Sequence, residues 1–280
     1  MRWTGRRGSS HVEDRRGQSG GKMLVGGGIG TIAIALIVWF LGGDPGQLLN
    51  IANPDTGNAP HEISAEEEQL AQFVSVVLAD TEEVWSKLFG QFNKTYREPT
   101  LVLFSRQVES ACGFANAASG PFYCPEDEKI YIDLSFCDEL RLRFGAEGDF
   151  AIAYVIAHEV GHHVQKQLGI LEEVHNQRSS LSSTAANALN VKLELQADFF
   201  AGVWAHHAER MLKILEEGDI DEALRAAAAV GDDNIQRQTQ GHVVPDSFTH
   251  GSSGQRMQWF RKGWETGDLN QGNTFKKGAV

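Results

Sequence analysis

The residues with the clearest chemistry are His158, Glu159 and His162, in the run Ala157-His158-Glu159-Val160-Gly161-His162-His163-Val164-Gln165. On an α-helix, positions i and i+4 share one face, so the two histidines can offer two imidazole nitrogens to one cation. His-Glu-x-x-His is a zinc-binding spacing. Glu159, beside the first ligand, can take a proton from a water polarised by the metal. Zinc brings the pKa of such a water down to about 7. Five residues of this kind also occur by chance, so the reading needs a helix to carry them and a third ligand.

The flanking sequence supplies both. Gly148-Asp149 can open a helix, with Asp149 as its cap, and residues 151–157 are nearly all apolar. A buried helix bearing His158, Glu159, His162 and His163 is costly unless those groups are satisfied, and metal ligation satisfies two of them. A second helix is expected from about 184 to 211. It places Glu194 and Asp198 four residues apart on one face, among Leu195, Ala197, Phe199, Phe200 and Trp204. Glu194 suits the third ligand. Asp198 can accept the second N–H of a ligating histidine and fix its tautomer. The reverse assignment, with Asp198 as ligand, stays open. His163 points off the ligand face, His206 and His207 lie too far along, and His175 reads as surface.

The chain has 280 residues and a net charge of −12, unevenly placed. Residues 1–22 hold Arg2, Arg6, Arg7, Arg15, Arg16 and Lys22 against Glu13 and Asp14, a net +4, which leaves −16 for the rest. An acidic body argues against nucleic acid as a partner. From Met23 to Gly42 there are twenty residues without a charge. As a helix they would rise about 30 Å, the thickness of a bilayer core. The expectation is a single-pass, uncleaved anchor in the cell (inner) membrane, with lipid around Met23 to Gly42. The basic N-terminus would be cytoplasmic and the catalytic domain periplasmic or extracellular. A cleaved signal peptide is the competing reading. The expected divisions are a basic N-terminus (1–22), an anchor (23–42), a linker (43–63), one domain (64–266) and a tail (267–280).

Within the domain, Ser64 caps an expected helix over 64–90, with Glu66, Glu67 and Glu68 in its first turn. Residues 100–104 and 129–134 read as strands. The second comes shortly before the histidine helix. It is expected either to receive an extended substrate along its edge or to be an ordinary interior strand. Outside the cytoplasm, Cys112 and Cys124 can form a disulfide. Cys137 is left over. A three-cysteine metal site has the wrong spacing, and a small buried hydrophobe is the plainer reading.

Further on, Asp219 and Glu222 look like a capping box for a helix over 220–230. Asp232 and Asp233 follow as a helix-end turn, or less simply a calcium site without the EF-hand pattern. His250 is the candidate for stabilising an oxyanion, and Arg256 for pairing with Asp198 or holding its loop. Trp259, Phe260 and Trp264 read as core.

Several stretches together resemble the bacterial neutral zinc metallopeptidase family: CGFA at 112, GPFYCP at 120, KIYIDLSF at 129, AYVIAHEVGHHVQ at 153, ELQADFFAGVWA at 194 and GDDNIQRQTQGHVVPDSFTHGSSGQRMQWF at 231. The likeness runs over nearly the whole chain. It implies an α+β, zincin-like fold, mostly helical with a small sheet. It also implies one Zn2+ per chain on His158, His162 and Glu194, Glu159 as general base, and a peptide or protein substrate. The chain departs from the pattern where many members carry cysteine, at Phe199 and near Gly272, as if a second disulfide were absent as a pair. A membrane-anchored zinc peptidase is therefore expected. The rival is a zinc-binding envelope protein with an assembly or binding role, against which Glu159 speaks, since a structural site needs no base.

Overall fold

The computed structural model describes residues 1–17, 63–142 and 145–280. The fold is α+β and mostly helical, with a small sheet. Helix α1 (Ala65–Gln91) begins where Ser64 accepts a hydrogen bond from the Glu67 amide at 3.1 Å, and three glutamates fill its first turn. The strands are β1 (Val12–Asp14), β2 (Thr100–Phe104), β3 (Gln107–Ser110), β4 (Gly113–Asn116), β5 (Phe122–Cys124) and β6 (Lys129–Asp133). Four of them form one sheet in the order β1-β2-β6-β5, and β3 and β4 form an antiparallel pair. Strands β1, β2 and β6 are parallel, and β5 runs antiparallel to β6.

Side chains alternate across this sheet, so its two faces belong to two cores. Leu101, Leu103, Ile130 and Ile132 join the large helical core. Val102, Phe104 and Tyr131 pack instead with Val108 and Ala115 of the β3–β4 pair and with Cys124. Strand β6 is paired on both sides, which settles it as interior. It has no edge to offer a substrate; β5, at the end of the order, has one that is unpaired among the described residues. Cys124 of β5 is bonded to Cys112, and Cys137 is free and buried, its thiol pushed up to about 12 by that burial.

Residues 1–17 are part of this domain, which corrects the expected division at residue 22. Strand β1 pairs in parallel with β2, Val12 opposite Leu101. The arginines that looked like a membrane flank are ion-pair partners. Arg6 Nη2 lies 2.6 Å from Asp80 Oδ1 of α1, and Arg16 bridges Asp14 and Glu68. Lys129 of β6 reaches Glu13 at 2.6 Å. The Met1 amino group sits against Asp149 and Asp219. A single crossing between residues 17 and 63 would separate β1 from β2, so this sheet does not fit the two-sided topology expected from the charge pattern. The stretch from Met23 to Gly42 lies outside the described residues, among which no helix is long and apolar enough to cross a membrane.

The other helices are α2 (Ser135–Leu142), α3 (Asp149–Gln167), α4 (Ile170–Arg178), α5 (Ser183–Leu212), α6 (Asp219–Ala229), α7 (Asp232–Gln240) and α8 (Ser253–Thr266). Helix α3 starts differently from expectation. Asp149 does not cap it; the Glu222 carboxylate of α6 accepts from the Phe150 amide at 3.0 Å. Gly148, at φ 109°, leaves the room, since a Cβ there would collide with that carboxylate. The expected capping box is therefore absent. Glu222 serves another helix, and Asp219 accepts from the Glu216 amide. Helices α5 and α8 approach closely where Gly202 faces Phe260 O and Gly263 faces Phe199 O, each leaving no space for a Cβ.

The 267–280 segment is packed on α5 and does not hang free. Thr274 is fully buried and donates to Lys192 O at 2.6 Å. Phe199 and Gly272, the two places where the family resemblance suggested a cysteine pair, are neighbours: a Cβ on Gly272 would lie 2.5 Å from the Phe199 ring.

Candidate metal centre

The site is built where α3 and α5 cross, and Gly161 decides how near they come. A Cβ at Gly161 would lie 2.9 Å from Ala197 O and 3.1 Å from Ala197 Cα. The absent side chain lets the two backbones meet, which sets residues 194–198 against 158–162. His158 Nε2 lies 3.2 Å from Glu194 Oε2, and His162 Nε2 lies 3.6 Å from Glu194 Oε1. One donor atom from each of the three falls within 4.8 Å of the others.

Both imidazoles are pinned from behind, so that Nε2 faces inward. His158 Nδ1 lies 2.8 Å from Asp198 Oδ1, and His162 Nδ1 lies 2.9 Å from Gln165 Oε1. A ligating histidine needs such an acceptor on its other nitrogen to fix its tautomer. Asp198 has no oxygen left to turn inward. It is fully buried, accepts from Tyr154 Oη at 2.5 Å, and receives Arg256 through Nε at 2.8 Å and Nη2 at 2.9 Å. That geometry favours Glu194 over Asp198 as the third ligand. Arg256 also donates to Val230 O at 3.3 Å, which ties α8 to the end of α6.

The donor set fits a divalent cation. Glu159, Glu194 and Asp198 are buried with a single buried arginine, Arg256, beside them. With both histidines neutral this group carries a net −2, which is expensive in a low-dielectric interior without a counter-charge. The titration shifts carry the same message. Burial opposes a charge on His158, yet the Asp198 carboxylate raises its pKa to about 9. Burial likewise opposes ionisation of Glu194, but His162 and His158 hold it well below the usual carboxylate range. Asp198 is drawn down to about 2 against its burial, mainly by Arg256 and His158. Glu159 moves the other way: burial raises it, only partly offset by the two histidines.

His250 stands on the loop before α8, its side chain 40% exposed. Its Nδ1 lies 3.2 Å from Asp232 Oδ1. The other Asp232 oxygen accepts the backbone amides of Thr249, His250 and Gly251 at 2.7, 2.6 and 2.9 Å. Burial opposes charge on His250, but the Asp232 hydrogen bond and the nearby Glu194 raise its pKa.

Residues 1–275 match a family described as "Putative neutral zinc metallopeptidase". The chain belongs to this family. It is 46% identical over 286 residues to the uncharacterised protein YpfJ of Escherichia coli strain K12, with 99% of each chain covered. It is 41% identical over 255 residues to the uncharacterised proteins Mb2605 of Mycobacterium bovis and Rv2575 of Mycobacterium tuberculosis strain H37Rv, with 84% of each chain covered. No solved structure matches. The family match includes residues 1–17, in keeping with their place in the sheet.

In this family member the sequence-predicted residues His158, Glu159, His162, Glu194, Asp198 and Arg256 come together in one cluster, all buried except the partly buried His162. His250 lies at its margin, close enough to Glu194 for each to shift the other's titration. Cys112 and Cys124 are elsewhere, on the hairpin side of the sheet. Three participants were not foreseen: Tyr154, Gln165 and Asp232. Helical spacing could have flagged two of them, since Tyr154 precedes His158 by four and Gln165 follows His162 by three. Asp232, read as a helix-end turn, instead opens α7 and holds the His250 loop. A cavity of about 400 Å³ lies apart from the site, between Trp3, Leu70, Phe73, Cys137 and Ile152.

Proposed function

We propose that the chain is a zinc-dependent peptidase, with one Zn2+ held by His158, His162 and Glu194 and with Glu159 as general base. The observation that carries this is the convergence of two imidazole Nε2 atoms on the Glu194 carboxylate, with the buried Glu159 beside them. Bound there, zinc would supply Lewis acidity and lower the pKa of a water toward ~7, so that its deprotonated, nucleophilic form would be available near neutral pH.

The chain's own groups do the rest. Asp198 and Gln165 hold the two imidazoles in one tautomer and one orientation. Glu159 accepts a proton from the attacking water and passes it to the departing amine nitrogen, a transfer that its raised pKa favours. His250, held by Asp232, offers positive charge to the carbonyl oxygen as negative charge develops there. An extended peptide has the open edge of β5 to pair with. That strand is fixed to α3 by Tyr123 Oη, 3.0 Å from His163 Nδ1. The Cys112–Cys124 bridge supports a periplasmic or extracellular setting. A non-catalytic role in the envelope leaves Glu159 without a purpose.

The test is digestion of an unfolded protein substrate by the purified chain. Activity should vanish on chelation and return with one equivalent of zinc. Digestion that survives complete removal of metal overturns the proposal.

A further inference from the structure

Behind Gln165, a chain of buried groups leads away from His162 and has no part in the chemistry above. Gln165 is fully buried, and its Nε2 donates to Leu193 O at 2.7 Å and to Gln196 Oε1 at 3.1 Å. Gln196, also buried, donates from its own Nε2 to Gly272 O at 2.8 Å. A backbone carbonyl can only accept, so these contacts fix which way each amide points. Gly272 O requires the NH2 of Gln196, which leaves Gln196 Oε1 to face Gln165. Leu193 O and Gln196 Oε1 together require the NH2 of Gln165, which leaves Gln165 Oε1 to face His162. That oxygen accepts, so the proton of a neutral His162 is on Nδ1 and the lone pair is on Nε2, toward Glu194.

The same segment grips α5 at a second point. Thr274 Oγ1 donates to Lys192 O, so residues 272–274 hold the helical turn just before Glu194. Gly272 is pressed against that helix, where a Cβ would strike the Phe199 ring. Buried polar chains of this kind act as units, because a missing member leaves its neighbours unpaired in a low-dielectric interior.

We propose that residues 272–274 are a working part of the metal centre: the Gly272 carbonyl, through the Gln196 and Gln165 amides, fixes the nitrogen that His162 presents to the cation. Gln165, Gln196 and Gly272 are positioning residues. The inference rests on the zinc reading above, and its test separates the two.

Zinc affinity is measured by competition with a chromophoric chelator, and ligand geometry by the visible spectrum of the Co2+-loaded protein. Five proteins are compared: the unaltered chain, Gln165→Met, Gln196→Met, a chain lacking residues 272–280, and the double variant that combines Gln165→Met with that deletion. Gln165→Met should weaken zinc binding by roughly 10–100-fold. Gln196→Met and the deletion should each weaken it by at least ~3-fold and alter the cobalt spectrum. The deletion should cost nothing more once Gln165 is Met, because its effect runs through Gln165. Losses that add in the double variant, or a deletion and Gln196→Met that bind zinc as the unaltered chain does, overturn the proposal. If the deletion fails to fold, Gln196→Met carries the comparison with the segment in place. A measurement on the unaltered, zinc-loaded chain is independent of every variant. Its 15N-histidine spectrum should place the His162 proton on Nδ1, and a proton on Nε2 overturns the proposal. An unaltered chain that binds no zinc removes the zinc reading itself.

Discussion

Asp198 lies between His158 and Arg256, 2.8 Å from the Nδ1 of the first and 2.8 Å from the Nε of the second. All three are buried, so the carboxylate is shared between a candidate metal ligand and a permanent cation. Arg256→Met should leave Asp198 under-compensated and destabilise the metal-free protein by about 3–5 kcal/mol, the cost of stripping one partner from a buried pair. Asp198→Asn keeps the shape and should lower zinc affinity by roughly 10–100-fold. Urea unfolding checks the first and chelator competition the second. An Arg256→Met protein as stable as the parent would show that the pair is not needed to hold the site.

Gly161 makes a sharper case, because the site depends on how close two backbones come. Gly161→Ala places a methyl 2.9 Å from Ala197 O, inside any normal contact. Helices α3 and α5 must separate by some tenths of an ångström, which opens the gap between the histidines and Glu194. Stability should fall by about 1–3 kcal/mol, as for other overpacked positions, although alanine favours a helix more than glycine does. Zinc affinity should fall with it. Thermal unfolding and metal titration on the same sample test this, and a more stable variant with unchanged affinity would show that the close crossing is not required.

Asp232 and His250 give a prediction about pH. Asp232 raises the pKa of His250, so the imidazole stays cationic to higher pH than usual. If the cation assists the reaction, activity falls as pH rises through that pKa. Asp232→Asn lowers the pKa, so the alkaline fall should move to lower pH while zinc content stays constant. His250→Gln should retain zinc and lose roughly 100-fold or more in kcat. An alkaline limb that does not move in Asp232→Asn argues that His250 is not the group titrating there.

The sequence made the centre of the site legible because its chemistry is local. His158, Glu159 and His162 lie on one helix face, and Glu194 and Asp198 repeat the same spacing on another. What it could not show are partners brought together by folding. Asp232 and His250 are eighteen residues apart, and nothing in either neighbourhood points to the other. Gln165 and Gln196 are ordinary helix formers until two backbone carbonyls fix their amides. The N-terminal arginines are the instructive failure. A cluster of positive charge beside an apolar run looks the same whether it faces lipid headgroups or carboxylates such as Asp80 and Glu68, which lie 74 residues beyond Arg6 and 52 beyond Arg16. Three-residue β1 is too short to announce itself by alternation.

That N-terminal attachment has its own pH dependence. The Glu13 carboxyl is held low by hydrogen bonds from Lys129 and then Arg15, and that of Asp14 by Arg16. A carboxyl whose pKa is lower in the folded state binds fewer protons there than in the unfolded chain. It therefore contributes stability above its ordinary pKa, about 4, and loses it as pH falls through the lowered value. The protection of the β1 amides, taken relative to intrinsic exchange at each pH, should fall below about pH 4 before that of the helical core does, and Glu13→Gln should flatten that dependence. Equal protection of β1 at pH 3 and pH 7 would contradict it.

The most direct test of the central claim is Glu159→Gln. The substitution keeps the size of the side chain and its place beside His158, and removes its capacity to take a proton. The variant should bind one zinc per chain as tightly as the parent and fail to cleave an unfolded protein substrate that the parent digests. Cleavage at the parent's rate by the zinc-loaded variant would contradict the assignment of Glu159 as the base.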